Sequence, residues 1–185
     1  MPTSSFVPTP AQLVRQLKLA PHPEGGHYRE TYRSSQTVMR GDSRLARSAS
    51  TAIYYLLSDA AYSAWHRIQS DEVWHFYEGS PLDIHTLDAA GRLTTYRLGN
   101  PFGNGSGNDQ GAVPDFQVIV PAGLWFAAEL VQPQSYALVG CTVAPGFEFS
   151  EFELADAAAL RTAWPRHAEI IERLAPRQAG MAAND

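Results

Sequence analysis

The stretch SAWHRIQSDEVWHFYEG, residues 63–79, gathers His66, His75, Glu72, Glu78, Trp65 and Trp74 into one short segment. A histidine that titrates near neutrality can move a proton, and a carboxylate beside it fixes its tautomer and raises its basicity. Read as strands 61–68 and 72–78 closed into a hairpin by Gln69, Ser70 and Asp71, the segment sets Ile68 opposite Glu72, His66 opposite Trp74, and Ala64 opposite Phe76. Trp65, Arg67, Val73, His75 and Tyr77 take the other side. The first face is apolar apart from His66 and Glu72, so it should point into the core, with those two as diagonal neighbours roughly 7–8 Å apart at Cβ. A carboxylate on such a face requires a metal, a hydrogen-bond donor or a proton. The pair either satisfies itself or lines a pocket, and an apolar pocket with few convergent polar groups is the usual binding site.

Other residues could join this chemistry. In HPEGGHYRETY, Glu24 precedes two glycines that let the backbone pass close to a ligand, and Tyr28, Glu30 and Tyr32 alternate along the next strand. Glu24 can equally be a solvated turn residue, and Tyr28 and Tyr32 sheet-packing residues. Tyr136 is a candidate acid opposite the histidine. A non-haem metal triad of two histidines and one carboxylate would draw on His66 and Glu72, with His27 as the nearby guess for a third ligand. Cys141, the single cysteine, lies in the apolar run YALVGCTV with no local histidine and reads as a buried structural thiol.

The elements that must carry these residues are mostly strands. Residues from about 26 to 154 show a period of two, with strands expected near 26–35, 48–58, 61–68, 72–78, 82–88, 93–98, 115–121, 124–131, 135–143 and 147–154. Ten short strands with close turns make a sandwich or barrel. Ahead of them, TPAQLVRQLKL predicts a helix capped by Thr9, with Pro10 in its first turn and a stripe of Leu13, Val14 and Leu17. Pro21, Pro23 and Gly25–Gly26 end it. The tail LADAAALRTAWPRHAEIIERLA predicts two short helices broken before Pro165, followed by about ten frayed residues. Residues 1–25, 26–154 and 155–185 thus form a helical entry, a β-barrel and a helical tail of one domain. The Gly/Asn-rich segment 99–114 reads as a mobile loop, with a lid as the alternative.

Thirteen prolines, 14 glycines, eight tyrosines, eight phenylalanines and four tryptophans favour an all-β chain with many turns. A net charge of −5 without a Lys/Arg block argues against nucleic-acid and membrane-surface partners. The Arg40–Gly41–Asp42 tripeptide is a chance match to an adhesion motif. No signal peptide or apolar span is evident, and one cysteine suits a reducing cytoplasm, the expected location.

The chain resembles the cupin superfamily of jelly-roll barrels. His66, Glu72 and Gly79 match the first histidine, the glutamate and the glycine of the first cupin motif, while Ile68 or Arg67 stands where the second histidine belongs. In PAGLWF, Pro121 and Gly123 match the second motif and Phe126 replaces its histidine, so two of the four usual metal ligands are missing. PHPEGGHYRETYRS, TAIYYLL, WHRIQSDEVWHFYEG, VIVPAGLWFAAEL and VGCTVAPGFEFSEFEL are similar to a cupin branch known mainly as a domain of unknown function. The resemblance implies a jelly-roll barrel whose mouth is lined by His66, Glu72, Trp74, Leu124 and Phe126, joined by Glu24 and Tyr28. The superfamily spans dioxygenases, isomerases, epimerases and plain binders, so fold alone does not choose among them.

The leading expectation is a small-molecule-binding cupin with isomerase- or epimerase-like proton transfer on a carbohydrate-like or other polar metabolite, with His66, Glu72 and Tyr136 as its catalytic residues. The alternatives are metal-dependent oxygen or hydrolytic chemistry, with a divalent transition metal at His66 and Glu72, and a non-catalytic binding or sensing module. The aromatic side of the hairpin around Arg67 predicts a two-fold homodimer, unless the N-terminal strand or the C-terminal helices cover it.

Overall fold

The computed structural model describes residues 7–41, 45–103 and 113–177. Helix α1 (Pro10–Leu17) opens the chain. Its capping box is reciprocal: the Thr9 side chain accepts from the Gln12 amide while the Gln12 side chain accepts from the Thr9 amide. Lys18 closes the helix in the left-handed conformation.

Two antiparallel sheets follow, packed face to face. One contains β1 (Ala20–Pro21), β2 (His27–Arg33), β5 (Thr51–Ser58), β7 (Asp71–Gly79), β10 (Gln117–Val120) and β12 (Tyr136–Ala144), in the order β1-β2-β5-β12-β7-β10. The other contains β6 (Ser63–Arg67), β8 (Leu82–Leu87), β9 (Leu93–Leu98), β11 (Trp125–Leu130) and β13 (Glu153–Leu154), in the order β13-β6-β11-β8-β9. A small ribbon, β3 (Thr37–Met39) with β4 (Ala46–Ser48), stands apart. Helices α2 (Ala157–Ala163) and α3 (Ala168–Arg173) end the fold, with Pro165 between them. None of the helices among the described residues is long and apolar enough to cross a membrane.

The period-two pattern divides the apolar side chains between two kinds of packing. On β5, Tyr55 and Leu57 join Trp74, Ile84, Phe126 and Val139 between the sheets, whereas Leu56 turns outward beneath Leu13 and Leu19 of the α1 region. On the outer side of the five-stranded sheet, Trp65 and Leu87 pack against Leu160, Ile171 and Leu174.

The expected hairpin does not exist. β6 and β7 belong to different sheets, and the chain between them turns a corner. The hydrogen bonds that a hairpin turn would close on itself are made instead with the loop before β11. Gly123 N donates to Ile68 O at 2.8 Å, and Ala122 N donates to the Asp71 carboxylate at 2.8 Å. His66 therefore lies beside Phe126 and Leu154, and Glu72 beside Val120 and Val143.

Trp65 also departs from expectation. It is fully buried by the C-terminal helices, and its indole N–H donates to Ile170 O at 3.2 Å. Of the segment 147–154, only Glu153–Leu154 is strand; Phe149–Glu151 forms a 3-10 turn. Most of the 99–114 loop, Asp42 and the last eight residues lie outside the described residues.

β6 is held from several sides. Besides β11 and β13, its Ala64 amide donates to Glu24 O at 2.9 Å and its Trp65 amide to Leu174 O at 3.0 Å.

Candidate functional site

The site begins with the turn His22–Gly26. Gly25 has φ of +116°, and a Cβ built there would sit 2.1 Å from Tyr62 O, so only glycine fits. This close pass lets Tyr55 donate its hydroxyl to Gly25 O at 2.9 Å and carries the Glu24 side chain inward.

Glu24 is buried, not solvated. Its Oε1 accepts from Ser63 Oγ at 3.0 Å, and its Oε2 lies 3.1 Å from His66 Nε2 and 3.5 Å from His22 Nδ1. The proton arrangement follows from the partners. His66 Nδ1 is 2.7 Å from Ala64 O, and a carbonyl oxygen can only accept, so Nδ1 carries the hydrogen. Burial pushes the His66 pKa down to about 4, which leaves the ring neutral at neutral pH with a lone pair on Nε2. Burial also raises the Glu24 carboxyl above its ordinary range. Glu24 Oε2 thus lies 3.1 Å from the His66 nitrogen that is left without the hydrogen.

Glu72 enters the same cavity from the opposite sheet. It is 7% exposed, and burial, with the neighbouring Glu24 carboxyl adding to the rise, lifts its pKa to about 8. The Cys141 thiol is its hydrogen-bond partner, and burial pushes that thiol well above its usual pKa. His22 accepts the Glu24 amide on Nδ1 at 3.3 Å, and burial lowers its pKa. Its ring meets Tyr28 edge-on at 4.5 Å and lies against Phe149 and Phe152 at 6.0 and 5.8 Å. At the rim, the Arg33 guanidinium bridges Glu30 at 2.8 Å and Glu148 at 2.7 Å.

His66, Glu72, Glu24 and Tyr28 therefore line one cavity. The histidine's carboxyl partner there is Glu24 rather than Glu72. The other expected site residues lie elsewhere. Tyr136 faces outward, packs beside α1, and donates its hydroxyl to Glu78 at 3.2 Å. Trp74 is buried in the core edge-on to Tyr55, and Leu124 is half-buried in the loop before β11. Phe126 supports the site from behind, its ring centroid 3.9 Å from that of His66. Tyr32 is half-exposed because a register shift after Glu30 breaks the alternation of β2.

Four further contributors have no signal in the local pattern: His22, Tyr55, Ser63 and the aromatic group Phe147, Phe149 and Phe152. The HxEGG spacing from His22 to Gly26 marks a tight turn, but which way its side chains point depends on contacts with distant strands. Cys141 is buried as expected, yet it borders the cavity.

A metal does not fit this donor set. His66 has Nδ1 turned to a backbone carbonyl and Nε2 to Glu24, while Ile68 and Phe126 occupy the places of the missing ligands. His27 lies on β2, outside the cavity lining. Among the described residues, no group of three or more His, Cys, Asp or Glu side chains is arranged to hold a metal ion.

Residues 11–155 match the family model described as Cupin superfamily (DUF985). The chain belongs to this family. Protein SO0799 from Shewanella oneidensis, whose crystal structure is known, is 34% identical to this cupin, superposes with a TM-score of 0.79, and is matched over 98% of its length and 91% of this chain. A hypothetical protein from Leishmania major is 30% identical with a TM-score of 0.79, covering 92% of this cupin and 100% of that chain. The uncharacterized protein YML079W of Saccharomyces cerevisiae is 27% identical over 153 residues, 76% of this cupin and 72% of the yeast protein.

Proposed function

We propose that this cupin binds a small polar metabolite in the barrel cavity and shuffles a proton on it, as an isomerase or epimerase does. The observation that carries the reading is the 3.1 Å contact between Glu24 Oε2 and His66 Nε2, with His66 Nδ1 anchored on Ala64 O. In the proposed step, Glu24 passes its hydrogen to His66 Nε2 and takes a C–H or O–H hydrogen of the ligand onto its carboxylate. Glu72, across the cavity, holds a polar group of the ligand. The imidazolium and the deprotonated ligand balance in charge, and reversal returns the hydrogen, at the original or a neighbouring ligand atom. The cavity, walled in part by aromatic rings, supports the same reading, because charge formed among buried groups is strongly coupled to its neighbours.

Deuterium wash-in tests this. A library of polar metabolites incubated with the protein in D2O should include one that gains carbon-bound deuterium, and Glu24→Gln and His66→Ala should each abolish the gain. A metabolite that binds with no exchange in the wild type would assign the cavity to a non-catalytic binding module.

We also propose a two-fold homodimer through the outer face of the six-stranded sheet. Tyr77 on β7 is 51% exposed and Ile119 on β10 is 59% exposed, with Val73 half-buried beside Ile119 in the ladder. Trp65 is excluded from that interface by its own C-terminal helices.

A further inference from the structure

The cavity has an uneven supply of charge. Four carboxyls line it, those of Glu24, Glu30, Glu72 and Glu148, against one guanidinium, that of Arg33, which already bridges Glu30 and Glu148 at the rim. Deeper in, Glu24 is satisfied by Ser63 and His66. Glu72 is not satisfied to the same degree. It is more than nine-tenths buried, borders the cavity, and among the described residues its carboxyl has the Cys141 thiol, a weak donor, as its hydrogen-bond partner. The rest of the wall sets the rings of Tyr28, Phe147, Phe149 and Phe152 beside aliphatic Ile53, Ile68 and Val143. A buried acid short of donors, facing ring surfaces, is the surrounding that a cation with N–H groups would complete, through a charge-assisted hydrogen bond on one side and cation–π contact on the other.

We propose that the ligand of this cavity carries an organic ammonium group, a primary or secondary amine in its protonated form, and that Glu72 is the residue that receives it. The inference rests on the reading of the cavity as a small-molecule site and narrows that ligand to an amine-bearing one. Among the described residues, the one cation lining the cavity, Arg33, is already paired with Glu30 and Glu148, so an anion finds no free partner there. A neutral polyol would leave Glu72 with a hydroxyl where an ammonium supplies both hydrogens and charge.

The other titratable groups lining the cavity with Glu72 are Glu24, Cys141, His66, His22, Tyr55 and Tyr28, and its one guanidinium, that of Arg33, is paired with Glu30 and Glu148 at the rim. An ammonium arriving there must displace the Glu72 proton, so its affinity should climb as pH rises towards about 8 and level off above it.

Calorimetric titration of the full chain with n-butylammonium, n-butanol and n-butyrate provides the test. At pH 8.5, n-butylammonium should bind at least tenfold more tightly than n-butanol, and n-butyrate should show no binding. Glu72→Gln should lose at least tenfold in n-butylammonium affinity with n-butanol affinity unchanged. Phe149→Leu, at a half-exposed ring, should weaken n-butylammonium several-fold and serves should the Glu72 variant not fold. Binding of n-butanol or n-butyrate as tight as n-butylammonium would overturn the ammonium assignment and leave the cavity a ligand site. Absence of binding by all three probes would overturn both.

Discussion

Glu24 Oε2 lies 3.1 Å from His66 Nε2, although Glu24 comes from the turn before β2 and His66 from β6 of the opposite sheet. The tautomer of His66 is set by its other nitrogen, which is committed to Ala64 O and leaves Nε2 facing Glu24 without a hydrogen. Nitrogen NMR of His66 should show the neutral tautomer with hydrogen on Nδ1 throughout neutral pH and no protonation until about pH 4. A His66 signal titrating near pH 6.5 would mean that the ring is solvated and the pairing wrong.

Stability should fall as pH rises between about 6.5 and 8. Glu72 has its pKa raised in the folded chain from 4.5 to about 8, so its contribution is complete below the unfolded value and is lost as pH climbs through the folded one. His66 acts in the opposite sense, with its pKa lowered from 6.5 to about 4, and loses its contribution as pH falls below 6.5. Between about 4.5 and 6.5 the two slopes oppose each other. Above that only the Glu72 slope remains of the pair, about 1.4 kcal/mol per pH unit, or about 2 kcal/mol over the interval. Urea unfolding at pH 6.5 and 8 should show this loss in the wild type and a markedly smaller one in Glu72→Gln.

Gly25→Ala should damage the site and the fold together. The added Cβ meets Tyr62 O at 2.1 Å, and the backbone conformation is one that alanine adopts only with strain. A loss of about 2–4 kcal/mol in unfolding free energy is expected, with weakened ligand binding. Gly123→Ala is the control: its φ is also positive, but a Cβ there meets nothing within 4 Å, so the loss should be near 1 kcal/mol.

Light scattering at micromolar concentration should give about twice the 20.3 kDa chain mass. Ile119→Lys should shift the protein to monomer, because a charge would then sit in the proposed interface. A wild-type monomer would remove the dimer proposal without touching the cavity.

Much of the architecture was legible in local pattern. Thr9, Pro10 and the leucine stripe marked α1, and alternation marked most strands to within a few residues. The motif around His66, Glu72 and Gly79, with PAG before β11, pointed to a cupin and so to the cavity side of β6 and β7. The pairing of those strands was not legible. Gln69–Asp71 has the length and composition of a hairpin turn, and its true hydrogen-bond partners, Ala122 and Gly123, lie far along the chain. The same limit hid the cover of Trp65, which needed the position of α3, and the partner of His66, which needed a glycine turn to carry Glu24 across. Residues 147–154 read as a strand, which would put Phe152 on the face opposite Phe147 and Phe149, whereas with a 3-10 turn over Phe149–Glu151 all three line the cavity.

The strand bearing His66 is gripped by both ends of the chain: the turn after α1 takes its Ala64 amide, and the segment after α3 takes its Trp65 amide. These holds make the histidine's position a readout of how well both extremities are docked. A chain lacking either residues 7–26 or residues 156–177 should retain much of the sandwich between its two sheets and yet present a displaced imidazole. Fusion partners or tags that pull on either end would then change the chemistry at the centre before they change the melting temperature.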